Sequence, residues 1–369
     1  MNRQGTAASL LPSLPAGARI LVIRLRSIGD IVLLTPALHL LKEWRPDLRV
    51  SVVVESRFRE LLEGNPDVEE ILEPGVGAGW GKILSRARTV RELRRRKFSL
   101  CVNLHGGPTS TLLAGLSGAS WKAGFEHNRA RALYQILIPD ARIILGQPAI
   151  HTAEHQASAF FYLGLPRRDI PRAQLFVNAA HAAWWEEKRS SLDLAAPREY
   201  ALLHPAALYV TKQWAPEHFA RLGAYLEREA RLATVFSCGP GESPALDAVE
   251  RSAGAPLRRL GDASLGQFAA ALAGARLFVG NDSGPAHMAA ALARPSVVIF
   301  GSSSSQIWGP WPRPAPDGAG PQPGTHRIVQ NPYDCNPCPG DRCYRFERPE
   351  CILSVSFEQV CTAVEAALA

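Results

Sequence analysis

Residues 275–292 read Ala-Arg-Leu-Phe-Val-Gly-Asn-Asp-Ser-Gly-Pro-Ala-His-Met-Ala-Ala-Ala-Leu. The apolar run up to Gly280 predicts a strand, and Pro285 predicts the start of a helix. A turn of this kind brings the unpaired backbone N–H groups and positive dipole of a helix N-terminus to the carboxyl end of a strand, which suits a phosphate group. An ordinary capped helix, in which Asp282 or Ser283 only satisfies those N–H groups, accounts for the same residues equally well.

The strand–turn–helix pattern recurs on both sides of this segment. Apolar strands alternate with helical segments from residues 19–25 onward in the first half, and from residues 200–204 onward in the second. Such alternation predicts parallel sheets with helices on both faces, and hence an α/β chain of two doubly wound halves. Thr35-Pro36 predicts that the first helix kinks or restarts there. The Pro- and Gly-rich residues 309–325 predict a surface loop.

Chain length and composition predict two domains. The chain has 369 residues, of which 46% are hydrophobic, enough to fill two cores. We place the first domain at 17–178, the second at 179–355, and at 356–369 a C-terminal helix that can pack back toward the first domain. No apolar run approaches the roughly 18 to 20 residues of a membrane span. We therefore expect a cytoplasmic protein whose contact with the inner membrane, if it has one, is peripheral.

The positive charge is concentrated in the first half. Residues 1–178 contain 24 Lys and Arg against 15 Asp and Glu, a net charge of +9, whereas residues 179–369 contain 17 against 19, a net charge of −2. Such a charge attracts nucleic acid, an anionic membrane or a phosphorylated substrate. Part of it lies in a basic amphipathic segment, for which a solvated helix face and a membrane-facing helix are equal alternatives. Its basic residues are Arg86, Arg88, Arg91, Arg94, Arg95, Arg96 and Lys97.

Two charged residues follow predicted strands, at the sheet edge where α/β proteins bind ligands. Asp30 follows Gly29 and is a candidate general base, although an acidic residue there is often only a helix cap. Lys212 follows the strand at 200–204 and is a candidate for neutralising a leaving diphosphate, with a solvated surface lysine as the alternative.

The chain has seven cysteines, an odd number that favours free thiols over a disulfide framework. Four of them lie close together in the sequence: Cys335, Cys338, Cys343 and Cys351. The first pair has metal-like spacing, but the remaining spacing does not match a common zinc ribbon. A structural zinc and four free thiols both remain open.

Three segments carry a family resemblance: residues 23–37 (Ile-Arg-Leu-Arg-Ser-Ile-Gly-Asp-Ile-Val-Leu-Leu-Thr-Pro-Ala), 211–219 (Thr-Lys-Gln-Trp-Ala-Pro-Glu-His-Phe) and 279–290 (Val-Gly-Asn-Asp-Ser-Gly-Pro-Ala-His-Met-Ala-Ala). In order and spacing they resemble the heptosyltransferases of glycosyltransferase family 9, which add heptose to the lipopolysaccharide core region. The resemblance implies the GT-B architecture, two facing Rossmann-like domains with a central cleft. It also implies inverting transfer from ADP-heptose without a metal or a separate cofactor.

The resemblance assigns roles to individual residues. Asp30 becomes the base that activates the acceptor hydroxyl, and Lys212 counters the charge of the departing ADP. The remaining donor contacts are Asp282, Ser283, Gly284, His287, Thr211 and Glu242. The partner of the first domain is an anionic glycolipid acceptor, with Asn103, His105, Arg129 and Arg131 as plausible contacts. One departure affects the donor phosphates, because residues 205–208 are apolar where some family members have hydroxyl groups.

Other functions fit the same sequence. A nucleotide-sugar epimerase of similar architecture would turn over the donor alone, and a transferase of the same family could use another sugar. A basic RNA- or membrane-binding protein would bind in a strongly salt-dependent way that does not require Asp30.

Overall fold

The computed structural model describes residues 7–75, 79–128, 130–194, 197–313 and 326–369. The chain divides between Gln174 and Leu175 into two compact domains, close to the predicted boundary after residue 178. Most of the predicted 309–325 loop lies outside the described residues.

The first domain contains a sheet of six parallel strands in the order β3-β2-β1-β4-β5-β6. Its central strands are apolar and buried on both faces, as expected when helices cover both sides of a parallel sheet. The strands are β1 Arg19–Ile23, β2 Arg49–Val53, β3 Glu70–Leu72, β4 Leu100–Asn103, β5 Trp121–Phe125 and β6 Ile136–Ile138.

Helices and two 3₁₀ helices connect these strands. The predicted interruption at Thr35-Pro36 is confirmed, because a short helix ends at Val32 and a second begins at Thr35 with proline in its first turn. The helices are α1 Leu10–Ser13, α2 Ile28–Val32, α3 Thr35–Trp44, α4 Gly79–Arg95, α5 Pro108–Leu116, α6 Ala141–Leu145 and α7 Thr152–Tyr162, and the 3₁₀ helices are Ser56–Leu61 and Arg131–Leu133.

The second domain has its own six-stranded parallel sheet, in the order β12-β11-β10-β7-β8-β9. The strands are β7 Tyr200–His204, β8 Ala233–Ser237, β9 Arg259–Leu260, β10 Leu277–Asn281, β11 Ser296–Phe300 and β12 His326–Gln330. The helices are α8 Ala179–Ser191, α9 Pro216–Arg228, α10 Ser243–Ala253, α11 Leu265–Ala273, α12 Gly284–Ala291, α13 Ser305–Trp308, α14 Glu350–Leu353 and α15 Phe357–Leu368, and Val210–Lys212 is a 3₁₀ helix.

The C-terminal helix α15 belongs to the second domain. Its predicted capping box is present, with Ser356 and Gln359 bonding each other's backbone N–H groups. The helix packs on β11, β12 and α9. Val360 and Val364 of α15 are fully buried in the core of that domain. The apolar face of the helix is thus covered by its own domain, and the expected packing toward the first domain stays a prediction.

Both sheets reverse their strand order beside their first strand. In the first domain the reversal lies between β1 and β4, and in the second between β7 and β10. Connections on the two sides of such a point leave the sheet in opposite directions, so the carboxyl ends of these strands border a crevice for ligands. Among the described helices, none is long and apolar enough to cross a bilayer.

Candidate functional site

Lys212 and Asp282 meet at the strand-order reversal of the second domain. Lys212 ends the 3₁₀ helix after β7, and Asp282 directly follows β10. Lys212 Nζ lies 2.7 Å from Asp282 Oδ2, and the same carboxylate oxygen accepts a hydrogen bond from Ser303, which follows β11. The Asp282 side chain is only 6% exposed, whereas that of Lys212 is 23% exposed. A mostly buried carboxylate therefore holds a partly accessible ammonium group at this edge of the sheet.

The Asn281 side chain fixes the loop that carries Lys212. Asn281 is fully buried at the end of β10. Its amide donates to the Pro205 carbonyl at 2.7 Å and accepts from the Trp214 backbone N–H at 3.1 Å. Both ends of the loop are thus tied to one side chain on the neighbouring strand. Trp214 is itself buried and donates its indole N–H to the Val355 carbonyl at 2.8 Å, so it packs at the helix start as expected.

The start of α12 lies directly beside this ion pair. Ser283 is the N-cap residue, but its hydroxyl donates to the Asn281 carbonyl at 3.3 Å. Ser283 makes no side-chain cap hydrogen bond to this helix. The hydrogen bonds of Asp282 and Ser283 lead to Lys212, Ser303 and the Asn281 carbonyl, which does not favour the plain-cap interpretation. Gly284 begins the helix, and His287 is buried one turn later.

Glu242 lies one strand farther from the reversal, after β8. It precedes α10, and its carboxylate accepts from the Gly239 backbone N–H at 2.7 Å. Its nearest cationic candidate is His204 at the end of β7, with Nε2 3.8 Å away. His204 also contacts Ser237 Oγ through Nδ1 at 3.0 Å. Burial lowers the pKa of His204 to about 4, so this imidazole is neutral near pH 7.

Thr211 lies next to Lys212 in the sequence but points elsewhere. It is 1% exposed, and its hydroxyl donates to the Gly340 carbonyl and accepts from Ser302 Oγ at 3.2 Å. The Thr211 hydroxyl is thus bonded inside the domain, and a donor contact of this residue stays a prediction. Earlier in the same loop, Leu208 is 81% exposed, so one of the apolar residues noted at 205–208 has its large side chain in solvent.

Asp30 occupies the equivalent edge of the first domain. It lies in the first turn of α2, where its carboxylate accepts from the Ser27 backbone N–H and hydroxyl, each at 3.2 Å. Its other oxygen forms an ion pair with Arg24, which also donates to the Leu104 carbonyl. The backbone carbonyl of Asp30 accepts from Gln156 at 2.8 Å. Asp30 is thus a helix-capping residue, but one held by a mostly buried cation.

The expected acceptor contacts differ in how deeply their side chains are buried. Asn103 is fully buried and donates to Tyr134 Oη at 2.7 Å, which gives it a structural position rather than an accessible one. His105 is half-buried, and burial followed by the charges of Arg24 and Arg26 lowers its pKa. Arg131 is exposed. Arg129 lies outside the described residues.

The four cysteines near the C-terminus line one small cavity of about 40 Å³, together with Thr211 and Ser302. All four thiols are free. Burial is the largest cause that raises the pKa of Cys351 to about 11, which keeps this thiol protonated near pH 7. The described residues contain no group of three or more His, Cys, Asp or Glu that could hold a metal ion.

Three residues of this geometry were not singled out from the sequence: Arg24, Asn281 and Ser303. Arg24 and Asn281 lie within quoted motifs, but Arg24 also bonds the Leu104 carbonyl, and Asn281 bonds the backbone of Pro205 and Trp214. These partners are far away in the sequence, and only the strand order reveals them. Ser303 follows a predicted strand, and its position at the carboxyl edge next to β10 is the signal that could have identified it.

Comparison with known proteins identifies the family. A model of glycosyltransferase family 9 (heptosyltransferase) matches residues 86–316. Lipopolysaccharide heptosyltransferase 3 of Escherichia coli K12 is 25% identical over 295 residues, which cover 78% of this chain and 83% of that protein. Because the family match spans more than half of the sequence, the chain belongs to glycosyltransferase family 9 and is a glycosyltransferase.

Solved structures confirm the fold class. A glycosyltransferase of family 9 from Veillonella parvula has a TM-score of 0.78 at 21% identity, covering 95% of this chain and 97% of that one. The ADP-heptose lipopolysaccharide heptosyltransferase II of E. coli has a TM-score of 0.74 at 19% identity, covering 95% and 98%. The predicted α/β chain with two Rossmann-like domains of the GT-B fold is therefore confirmed.

The neutral state of His204 predicts acid sensitivity. The folded pKa of about 4 lies below the ordinary 6.5, so the unfolded chain binds a proton first as the pH falls. The contribution of neutral His204 to the free energy of unfolding is fully present above pH 6.5. It is lost as the pH falls toward 4, by at most about 1.4 kcal/mol per pH unit. His204→Asn should lower the melting temperature at pH 7.5 but flatten its decline between pH 6.5 and 5. Thermal unfolding against pH measures this, and an unchanged slope contradicts it.

Proposed function

Starting from membership of glycosyltransferase family 9, we propose that this chain transfers a heptose from ADP-heptose to an inner-core lipopolysaccharide acceptor, with inversion and without a metal. The observation that carries the proposal is the Lys212–Asp282 pair beside the start of α12, whose N-cap residue Ser283 makes no side-chain cap hydrogen bond. A cation and a helix N-terminus that converge on one edge suit a sugar diphosphate. Relatives named as lipopolysaccharide and ADP-heptose heptosyltransferases support the choice of donor and acceptor.

The donor is bound through the second domain. Backbone N–H groups from Gly284 onward receive the diphosphate, and Lys212 approaches its oxygens. Asp282, Ser283 and His287 hold the sugar-diphosphate, and Glu242 lies toward the nucleoside. Thr211 acts indirectly, because its buried hydroxyl fixes the segment that presents Lys212.

The transfer is a single displacement. The acceptor hydroxyl oxygen attacks the anomeric carbon of heptose while its proton passes to the carboxylate of Asp30. The bond between the anomeric carbon and the diphosphate oxygen breaks, and ADP leaves with the electron pair of that bond. One attack from the face opposite the leaving group inverts the anomeric configuration. Lys212 stabilises the negative charge that develops on ADP, the task that a divalent cation performs in other transferases.

Arg24 orients the carboxylate of Asp30 for its proposed role. Its guanidinium bridges the Asp30 carboxylate and the Leu104 carbonyl, so the carboxylate is oriented by two elements at once. The first domain, with its net charge of +9 over residues 1–178, attracts an anionic glycolipid to the same edge.

Asp30→Asn should reduce turnover by about 10²- to 10⁴-fold, because the variant keeps a similar shape but cannot accept the proton. Donor affinity should stay within about twofold, since Asp30 belongs to the domain that we assign to the acceptor. ADP release with acceptor measures turnover, and calorimetry measures donor binding. Asp47→Asn is the matched control, because it removes another Arg–Asp pair of the first domain away from the site. Retained turnover in Asp30→Asn, or donor turnover without acceptor, would contradict the scheme.

Lys212→Met should weaken ADP binding by about 10- to 100-fold, because it removes a charge-assisted contact and leaves the buried Asp282 carboxylate facing the diphosphate. Lys188→Met is the matched control, because it removes a lysine on α8 of the same domain, and it should bind ADP within about twofold of wild type. Calorimetry with ADP-, UDP- and GDP-sugars should rank the ADP-sugar first. Equal affinity for the three bases would refute the assigned donor, and unchanged ADP binding in Lys212→Met would refute the role of this lysine.

Chelation should leave the rate unchanged. Lys212 supplies the positive charge that the leaving group needs, so EDTA has no essential ion to remove. The assay follows ADP release with EDTA and with added Mg²⁺. Strong inhibition by EDTA that Mg²⁺ reverses would show that a metal takes part.

A further inference from the structure

A surface of the first domain combines exposed arginines with exposed leucines. We call it the basic–leucine surface and define it by its members: Arg88, Arg91, Arg94 and Arg95 on α4, Leu112 and Leu116 on α5, and Leu133 on the adjoining 3₁₀ helix. The three leucines are 42%, 38% and 42% exposed, respectively. Large apolar side chains exposed together, rather than singly, mark interaction sites.

The members are contiguous because their elements pack side by side. Arg94 Nε donates to the Leu116 carbonyl at 3.0 Å, which joins the end of α4 to the end of α5. Leu112 and Leu116 are one helical turn apart and so share a face of α5. Leu133 lies against Gly115, where an added Cβ would come within 3.0 Å of its Cδ1. The leucines therefore form one cluster with Arg94 at its border, and Arg91 and Arg95 share a groove with Arg94.

The arginines keep their charge available. None of the four forms an ion pair with any residue that the structure describes. Glu92 is the one acidic residue within the sequence of α4, so it offsets only part of the charge. Arg96, which follows the helix, is different, since it is bound by Glu70 at 2.8 Å through Nε. Arg91, Arg94 and Arg95 also line a shallow groove of about 380 Å³ with Ala87 and Val90.

We propose that the basic–leucine surface docks the first domain on an anionic lipid bilayer. Arginine side chains reach phosphate headgroups while their apolar stems lie along the surface, and leucines beside them enter the boundary of the acyl chains. A nucleic acid would instead favour exposed aromatic side chains for base stacking, whereas this cluster consists of leucines. The proposed function supplies a reason for such docking, namely an acceptor that resides in the membrane. Binding to the bilayer itself does not require turnover.

The experiment is flotation of the full chain with vesicles of phosphatidylcholine alone or with 30% phosphatidylglycerol, both free of acceptor, in about 0.1 M salt. Wild type should bind the anionic vesicles at least about 10-fold more tightly than the neutral ones. The triple variant Arg88→Glu, Arg91→Glu and Arg95→Glu should lose at least about 10-fold in affinity. The pair Leu112→Ser and Leu116→Ser should lose about fivefold while the charge stays constant.

The matched control reverses the same amount of charge elsewhere: Arg228→Glu, Arg251→Glu and Arg348→Glu, all exposed in the second domain. It should bind vesicles within about twofold of wild type. An equal loss in this control, or wild-type binding by either surface variant, would overturn the proposal. Thermal unfolding verifies that the variants fold. Turnover of a delipidated, water-soluble acceptor should be unchanged in the surface variants. If wild type shows no such turnover, the proposed function is contradicted, whereas the result on vesicle binding still stands.

Discussion

The edge of the second domain where we propose that the donor binds depends on one side-chain amide. Asn281 ends β10 without access to solvent and bonds a carbonyl before the Lys212 loop and an N–H after it. A buried amide that lost either partner would leave a polar group unsatisfied, at a cost of about 1–3 kcal/mol. The loop therefore has one favourable conformation. In that conformation Lys212 reaches Asp282, and the start of α12 lies beside them. The position of Lys212 beside Asp282 is thus set by Asn281, the residue that precedes Asp282 at the end of β10.

Much of this arrangement could be predicted from the sequence, because the deciding signals are local. Apolar runs followed by capped helices give the two halves, and Thr35-Pro36 gives the restart between α2 and α3. Motif spacing identifies Asp30, Lys212 and Asp282. What could not be predicted is long-range. The buried position of Thr211 depends on Gly340, far along the chain, and α15 packs on the second domain because its apolar face fits β11 and β12.

The ion pairs at the corresponding sheet edges of the two domains differ in which partner is more exposed. In the first, Arg24 holds the Asp30 carboxylate, and both side chains are mostly buried. In the second, the buried carboxylate of Asp282 holds the more accessible Lys212. The accessible partner is thus a cation where we propose that an anion departs. Where we propose that a proton is received, the carboxylate of Asp30 is paired with the mostly buried Arg24. The same pairing of opposite charges would serve the two proposed roles because burial differs between the partners.

Docking through the basic–leucine surface, as we propose it, would alter how a membrane-bound acceptor is encountered. A protein held on the bilayer by α4 and α5 searches in two dimensions, and an acceptor in that bilayer moves in the same plane. The relevant quantity is then the number of acceptor molecules per area of membrane rather than per volume of solution. Confinement of this kind raises the effective concentration without any new contact at the catalytic residues. An enzyme with modest intrinsic affinity for its glycolipid would therefore still work near saturation, and its rate would follow the lipid composition of the leaflet.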